Sequence, residues 1–196
     1  MSEAALFGRD PGRLPGERMS RNKYVKDYRL LESVDERGRI RVEYEYIGRY
    51  YEFAGGTDTA RAGKKRLLWL CALCWAAFFA ALIPVSTAMH TAYVSLPFAF
   101  SALPLGMLSA SAFSIPTGEE PMEHRTADIL ENALPPRALF TALLSGTALA
   151  AQAVRLIAAR DPVWPGDAVF LAAAAAMTAG AAAAFSERKK FLVREI

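Results

Sequence analysis

Apolar positions follow two different patterns along this chain. Between Tyr24 and Phe53 (YVKDYRLLESVDERGRIRVEYEYIGRYYEF) they alternate with polar ones, and from Leu67 onward they fuse into four long runs almost free of charge. Alternation with period two marks a half-buried strand. It places Ile40, Val42, Tyr44 and Tyr46 on one face and Arg39, Arg41, Glu43 and Glu45 on the other. Asp35-Glu36-Arg37-Gly38 supplies a turn with a glycine that tolerates positive φ. Before it, Tyr28 and Leu30 continue the apolar face. A β-hairpin is therefore expected within residues 23–56, broken at Gly48, with Arg49 to Phe53 able to add a short third strand. A hairpin alone is marginal in water, so its tyrosine-rich face needs a cover. That cover is the membrane surface, the cytoplasmic end of the chain's own bundle, or a partner met by Ile40, Val42, Tyr44 and Tyr46.

The runs after Leu67 predict helices. A helix needs roughly 20 apolar residues to cross a hydrocarbon core of about 30 Å. Leu67 to Val85, about Thr91 to Ile115, about Ala138 to Ala158 and about Ala168 to Phe185 approach or exceed that length. The fourth is the weakest by hydropathy because alanine dominates it. The expected fold class is membrane all-α: a four-transmembrane-helix bundle over residues 57–186 behind an N-terminal cytoplasmic hairpin. Residues 1–22 are expected to be a disordered tail and 187–196 a basic cytoplasmic tail. Residues 116–137 form a loop with a short amphipathic helix, about Glu123 to Leu134, ended by Pro135-Pro136. Its stripe of Ile129, Leu130, Ala133 and Leu134 would lie on the membrane surface or touch a partner.

Charge then sets the orientation. Of the 23 Lys and Arg residues, only Arg155 and Arg160 fall on the far side if all four runs cross a bilayer. Basic residues stay inside, so both termini are expected in the cytoplasm, with the chain multi-pass in a plasma membrane. Arg61, Lys64, Lys65 and Arg66 before the first run, and Arg188, Lys189 and Lys190 after the last, are candidate headgroup anchors. Trp164 and Trp69 suit the aromatic belts, and Arg155 can snorkel outward. A membrane surface accounts for the small basic excess of +3, and no nucleic-acid motif accompanies it. The first twenty residues hold no apolar core of signal-peptide length, so the first run is expected to act as a retained targeting signal. Alanine-rich runs favour a bacterial origin.

Inside the runs, Pro97 and Pro104 predict a kinked second helix, and nearby serines can satisfy the freed carbonyls. Gln152 reads as an interhelical hydrogen bond or, with Pro97 and Pro104, as part of a polar path. The fourth run, AVFLAAAAAMTAGAAAAF, is small on every face and suits close helix contacts, including contacts with another subunit.

Candidate chemistry is sparse. Cys71-Ala-Leu-Cys74 is a C-x-x-C buried in the first run without helper groups, which suits small packing residues better than thiol redox. His90 and His124 fall on opposite sides and cannot share a metal. Glu123, His124 and Asp128 at helical spacing read as a solvated face. No hydrolase, nucleotide-binding or zinc-protease motif occurs. The runs contain no Asp or Glu, which argues against an ion-coupled transporter. The expectation is a non-enzymatic accessory, scaffolding or adaptor subunit of a membrane complex. A small homo-oligomeric channel or transporter is the alternative, and a membrane thiol oxidoreductase the least favoured reading. The expected partners are the lipid bilayer and a second protein or copy, with no cofactor, metal, nucleic acid or known small-molecule ligand.

Overall fold

The computed structural model describes residues 25–34, 40–84, 86–118, 121–159 and 165–196. These fall into two units, Met1–Gly48 and Arg49–Ile196. The N-terminal tail, the Asp35-to-Gly38 turn and Trp164 lie outside the described residues.

In the first unit, β1 (Tyr28–Val34) and β2 (Ile40–Tyr46) form the antiparallel hairpin that the alternation predicts. The register pairs Tyr28 with Tyr46, Leu30 with Tyr44 and Val34 with Ile40. Tyr28 and Tyr46 meet edge to face, ring centroids 5.2 Å apart. After β2 the Ile47 amide donates to the Asp27 carbonyl at 2.8 Å. Gly48 is needed at this exit, because a Cβ there would lie 2.5 Å from the Tyr46 hydroxyl oxygen.

Helices dominate the second unit. α1 spans Thr57–Leu82, α2 Ala92–Phe100, α3 Ala102–Ser114, α4 His124–Asp128, α5 Leu134–Ala159 and α6 Pro165–Glu187. Four stretches are long and apolar enough to cross a membrane: Thr57–Leu82, Ala92–Ser114, His124–Ala158 and Pro165–Phe191. α6 packs on both α1 and α5; α2 and α3 pack on α5, and α3 also on α1. Pro97 and Pro104 remove two helical donors, and the second stretch divides at Ser101. There the Ser101 amide bonds the Pro97 and Phe98 carbonyls, and its hydroxyl bonds the Phe98 carbonyl.

Two sequence expectations change. Pro135-Pro136 does not end the loop helix. A π-helical turn, Ile129–Ala133, joins α4 to α5, and the Leu134 amide reaches back to the Ile129 carbonyl. This wider turn opens the ladder where two successive rings would meet the preceding carbonyls, so the helix continues. The Arg49-to-Phe53 segment does not extend the hairpin either. β3 (Tyr50–Phe53) is the centre of a second antiparallel sheet, between β4 (Met122–Glu123) and β5 (Val193–Glu195). Phe53 and Met122 turn inward, and a 3-10 turn from α6 into β5 buries Phe191 beside them. Arg194 pairs with Glu52 and Arg49 with Glu195 on the exposed side.

The outer surface of the helices is more apolar than that of a water-soluble bundle. The buried positions of the helices include many small or polar residues, among them Ala81, Ser101, Ser111, Thr141, Ser145, Gln152, Ala174 and Ala181. Large apolar side chains point outward: Trp69, Phe79, Phe113, Phe140 and Ile157 are all more than half exposed. Large apolar side chains are buried too, among them Leu67, Leu105, Leu108, Ile115 and Met177, and a compact aromatic knot sets the Phe98 ring 5.1 Å from Phe78 and 4.9 Å from Phe170.

α6 shows the pattern most sharply. Its inner face, including Ala173, Ala174, Gly180, Ala181 and Ala184, is buried. Its outer face is a second row of small residues: Ala168, Ala172, Ala175, Ala179, Ala182 and Ser186 are all exposed. Val169 is the one large apolar side chain exposed on this helix.

Candidate functional site

The chemically richest place in the described residues is a buried polar cluster where the α1–α2 connection meets α5 and the start of α6. Pro165 opens α6, as its fixed φ and missing donor allow. Asp167 follows in the first turn, where the helix dipole favours a carboxylate. Its side chain is fully buried. The Oδ1 atom accepts from the Ser86 hydroxyl at 2.8 Å, the Thr87 amide at 2.9 Å and the Thr87 hydroxyl at 2.6 Å. A fourth bond comes from Gln152 Nε2 on α5, at 3.2 Å. Ser86 also accepts from the Ala88 amide and so caps the short turn Thr87–His90.

Arg155, one helical turn beyond Gln152, donates to the Thr87 hydroxyl. That hydroxyl therefore bridges guanidinium and carboxylate, and the Arg155 charge acts on Asp167. Two buried oxygens, Gln152 Oε1 and Asp167 Oδ2, have no hydrogen-bond partner among the described residues. The cluster joins a connection and two helices through one carboxylate.

The opposite end of α6 carries a second buried acid. Glu187 is ion-paired with Arg66 of α1 at 3.2 Å and with Lys190 at 2.7 Å. Beside it, Lys64 donates to the Ile115 carbonyl at 2.5 Å and the Phe113 carbonyl at 3.3 Å, and Arg61 to the Thr117 carbonyl at 3.0 Å. Lys64 thus caps the C-terminus of α3, where the helix dipole is negative, and Arg61 holds the loop just beyond it.

The residues singled out from the sequence are placed as follows. Arg61, Lys64, Arg66 and Lys190 hold the protein's own polar groups and Arg188 lies over the Phe185 ring, whereas Lys65 and Lys189 are exposed. Leu130 is buried in the core with Leu134 and Phe191, and Ile129 is half-buried. Tyr44 is 71% exposed, and Tyr46 packs on Tyr28. Ile40 and Val42 are placed in β2 by backbone pairing. Pro97 and Pro104 flank the Ser101 break.

Cys71 and Cys74 are free and buried, and the Cys74 thiol lies 3.7 Å from the Met177 carbonyl. His124 stacks on Tyr51 at 5.8 Å, and His90 is exposed. No group of three His, Cys, Asp or Glu residues among the described ones is arranged to hold a metal ion.

The sequence reading missed Ser86, Thr87, Asp167 and Glu187. It ended the fourth run at Phe185 and began it at Ala168, so both acids were assigned to loops. Pro165-Gly166-Asp167 is the usable signal, with proline at the first helical position and an acid in the first turn. No protein-family model, curated protein or solved structure matches this chain.

Proposed function

We propose that this chain is a non-enzymatic subunit of a membrane complex, a four-span scaffold that α6 joins to a helix of another subunit. The outward alanine row of α6 carries the reading. Lipid supplies no hydrophobic drive between helices, so association in a bilayer depends on close backbone approach past small residues. Ala168, Ala172, Ala175, Ala179 and Ala182 recur every three or four positions and offer such an approach along most of the helix. The large outward side chains of the other helices suit lipid instead. Their exposure supports a bundle that spans the membrane. The Lys and Arg distribution supports cytoplasmic termini, and the alanine-rich spans a bacterial plasma membrane.

Gentle detergent extraction of the tagged chain, followed by native mass determination, tests this. A stoichiometric second protein is the expected result, and Ala175→Leu/Ala179→Leu should release it while helix content is unchanged. A monomer that copurifies with nothing overturns the reading.

The hairpin is the proposed cytoplasmic contact of this subunit. Tyr44→Ser should weaken partner retention with the hairpin intact, since Tyr44 is largely exposed. Tyr46→Ser should loosen the hairpin itself, because that ring packs on Tyr28. Proteolysis of the N-terminal segment separates the two effects.

A homo-oligomeric channel or transporter is the second reading, favoured by Asp167. An ionisable group inside a membrane helix is costly and commonly functional. Solute flux in liposomes that Gln152→Leu abolishes would move the weight to it.

A further inference from the structure

On the outward side of the bundle, α3 and α5 enclose an open groove of about 610 Å3. Leu103, Pro104 and Met107 form one wall, and Phe140 and Leu144 the other. The exposed lining is apolar, and one cationic residue, Arg137, borders it on the α5 side. We propose that this groove binds one anionic glycerophospholipid, with an acyl chain along the apolar walls and the phosphate at Arg137. The inference rests on the membrane-spanning reading and goes beyond it.

Three observations support this occupant over a helix of a partner. The first is length. At 1.5 Å per residue, the α5 wall from Ala133 to Leu144 runs about 16 Å, close to half of a hydrocarbon core of about 30 Å. That is the depth of one leaflet, whereas a partner helix would run the full span.

The second is charge. Arg137 NH1 donates to the Met107 carbonyl at 3.3 Å and to the Ser111 hydroxyl. A guanidinium has five N–H donors in a planar fork, so donors on Nε and the second amino group remain for phosphate oxygens. The two bonds through NH1 hold the fork in place before a ligand arrives.

The third is position. Arg137 lies near the start of α5, level with the Ser111 turn that precedes the C-terminus of α3. Lys64 and Arg61 cap the carbonyls just beyond that turn. The charged end of the groove thus coincides with the basic end of the bundle, where the membrane reading places the headgroups. Toward Leu144 the walls are entirely apolar, as a chain directed at the bilayer midplane requires.

Native mass spectrometry of the full chain in detergent, with phosphatidylglycerol and phosphatidylcholine of identical acyl composition, tests the proposal. The wild type should retain phosphatidylglycerol over phosphatidylcholine by about fivefold, the ratio given by one cation's attraction to an anionic headgroup. R137Q should bring that ratio to about one, and R137K should keep most of it, because it preserves the charge. Leu103 is 65% exposed, so L103W fills the groove without entering the core and should lower retention of both lipids. Equal retention of the two lipids by the wild type, or an unchanged ratio in R137Q, overturns the proposal. Carbonate extraction separates the failures. A chain released from native membranes removes the membrane reading itself, whereas a chain that stays while showing no lipid preference removes the groove assignment alone.

Discussion

Asp167→Ala is expected to destabilise the helical unit by about 3–5 kcal/mol, since several donors lose one acceptor and each stranded donor costs about 1–3 kcal/mol. The carboxylate is fully buried and accepts four hydrogen bonds through Oδ1. Without it, the Ser86 and Thr87 hydroxyls, the Thr87 amide and the Gln152 amide lose their shared acceptor, and the carboxylate that the Thr87 hydroxyl bridges to Arg155 is gone. Stranded donors are more expensive than the lost bonds themselves, because each retains its desolvation penalty with no compensation. Asp167→Asn keeps an acceptor and should fall between, at about 1–3 kcal/mol.

Gln152→Leu provides the contrast. It removes one donor to Asp167 but also removes the unpartnered Gln152 Oε1. Measured hydrogen bonds between membrane helices average only about 0.6 kcal/mol, so its effect should stay under about 1 kcal/mol. Denaturant titration in mixed micelles ranks the three variants. An Asp167→Ala protein as stable as the wild type would show that the cluster does not hold the helices together.

Gly180→Ala is the second large expectation, and here two effects oppose each other. Alanine is the better helix former by about 1 kcal/mol. Yet a Cβ at Gly180 would lie 2.7 Å from the Cys74 sulfur on α1, closer than real contacts allow. That sulfur is itself backed by the Met177 carbonyl at 3.7 Å. Overpacking of this kind costs about 1–3 kcal/mol, so the clash wins and the variant is less stable than the wild type. The sulfur is the cause, so Cys74→Ala should restore Gly180→Ala, with a coupling of at least about 0.5 kcal/mol between the two positions. Additive effects in that double-mutant cycle would mean the helices separate for another reason. A neutral Cys74→Ala single variant with a rescued double variant would also give this cysteine a packing role.

Both predictions concern residues that sequence reasoning treated as background. The four long apolar helices and the hairpin were legible because each expresses a local period. Uncharged runs of helical length and strict alternation from Arg39 to Tyr46 need no partner to be read. The break near Pro97 and Pro104 was legible for the same reason, since a missing donor acts on its own helix. Pro135-Pro136 misled because the remedy, a π turn over Ile129–Ala133, is a backbone adjustment with no composition of its own. Arg49 to Phe53 carries strand character, but strand pairing is settled by what lies alongside it. Here those neighbours are Met122 and Val193, far away in sequence.

The same division explains the polar cluster. Sequence by itself determined the hairpin strands, the four long helices that could cross a membrane, and the clustering of basic residues next to particular helix ends. It did so because hydrophobic periodicity and charge act locally along the chain. Only the tertiary structure decided that Ser86, Gln152 and Asp167 share one buried site, that Leu130 faces inward, and that α6 keeps a free alanine face. Burial and hydrogen-bond partnership depend on which helices stand beside each other, and alanine-rich helices of uniform polarity carry little record of their neighbours.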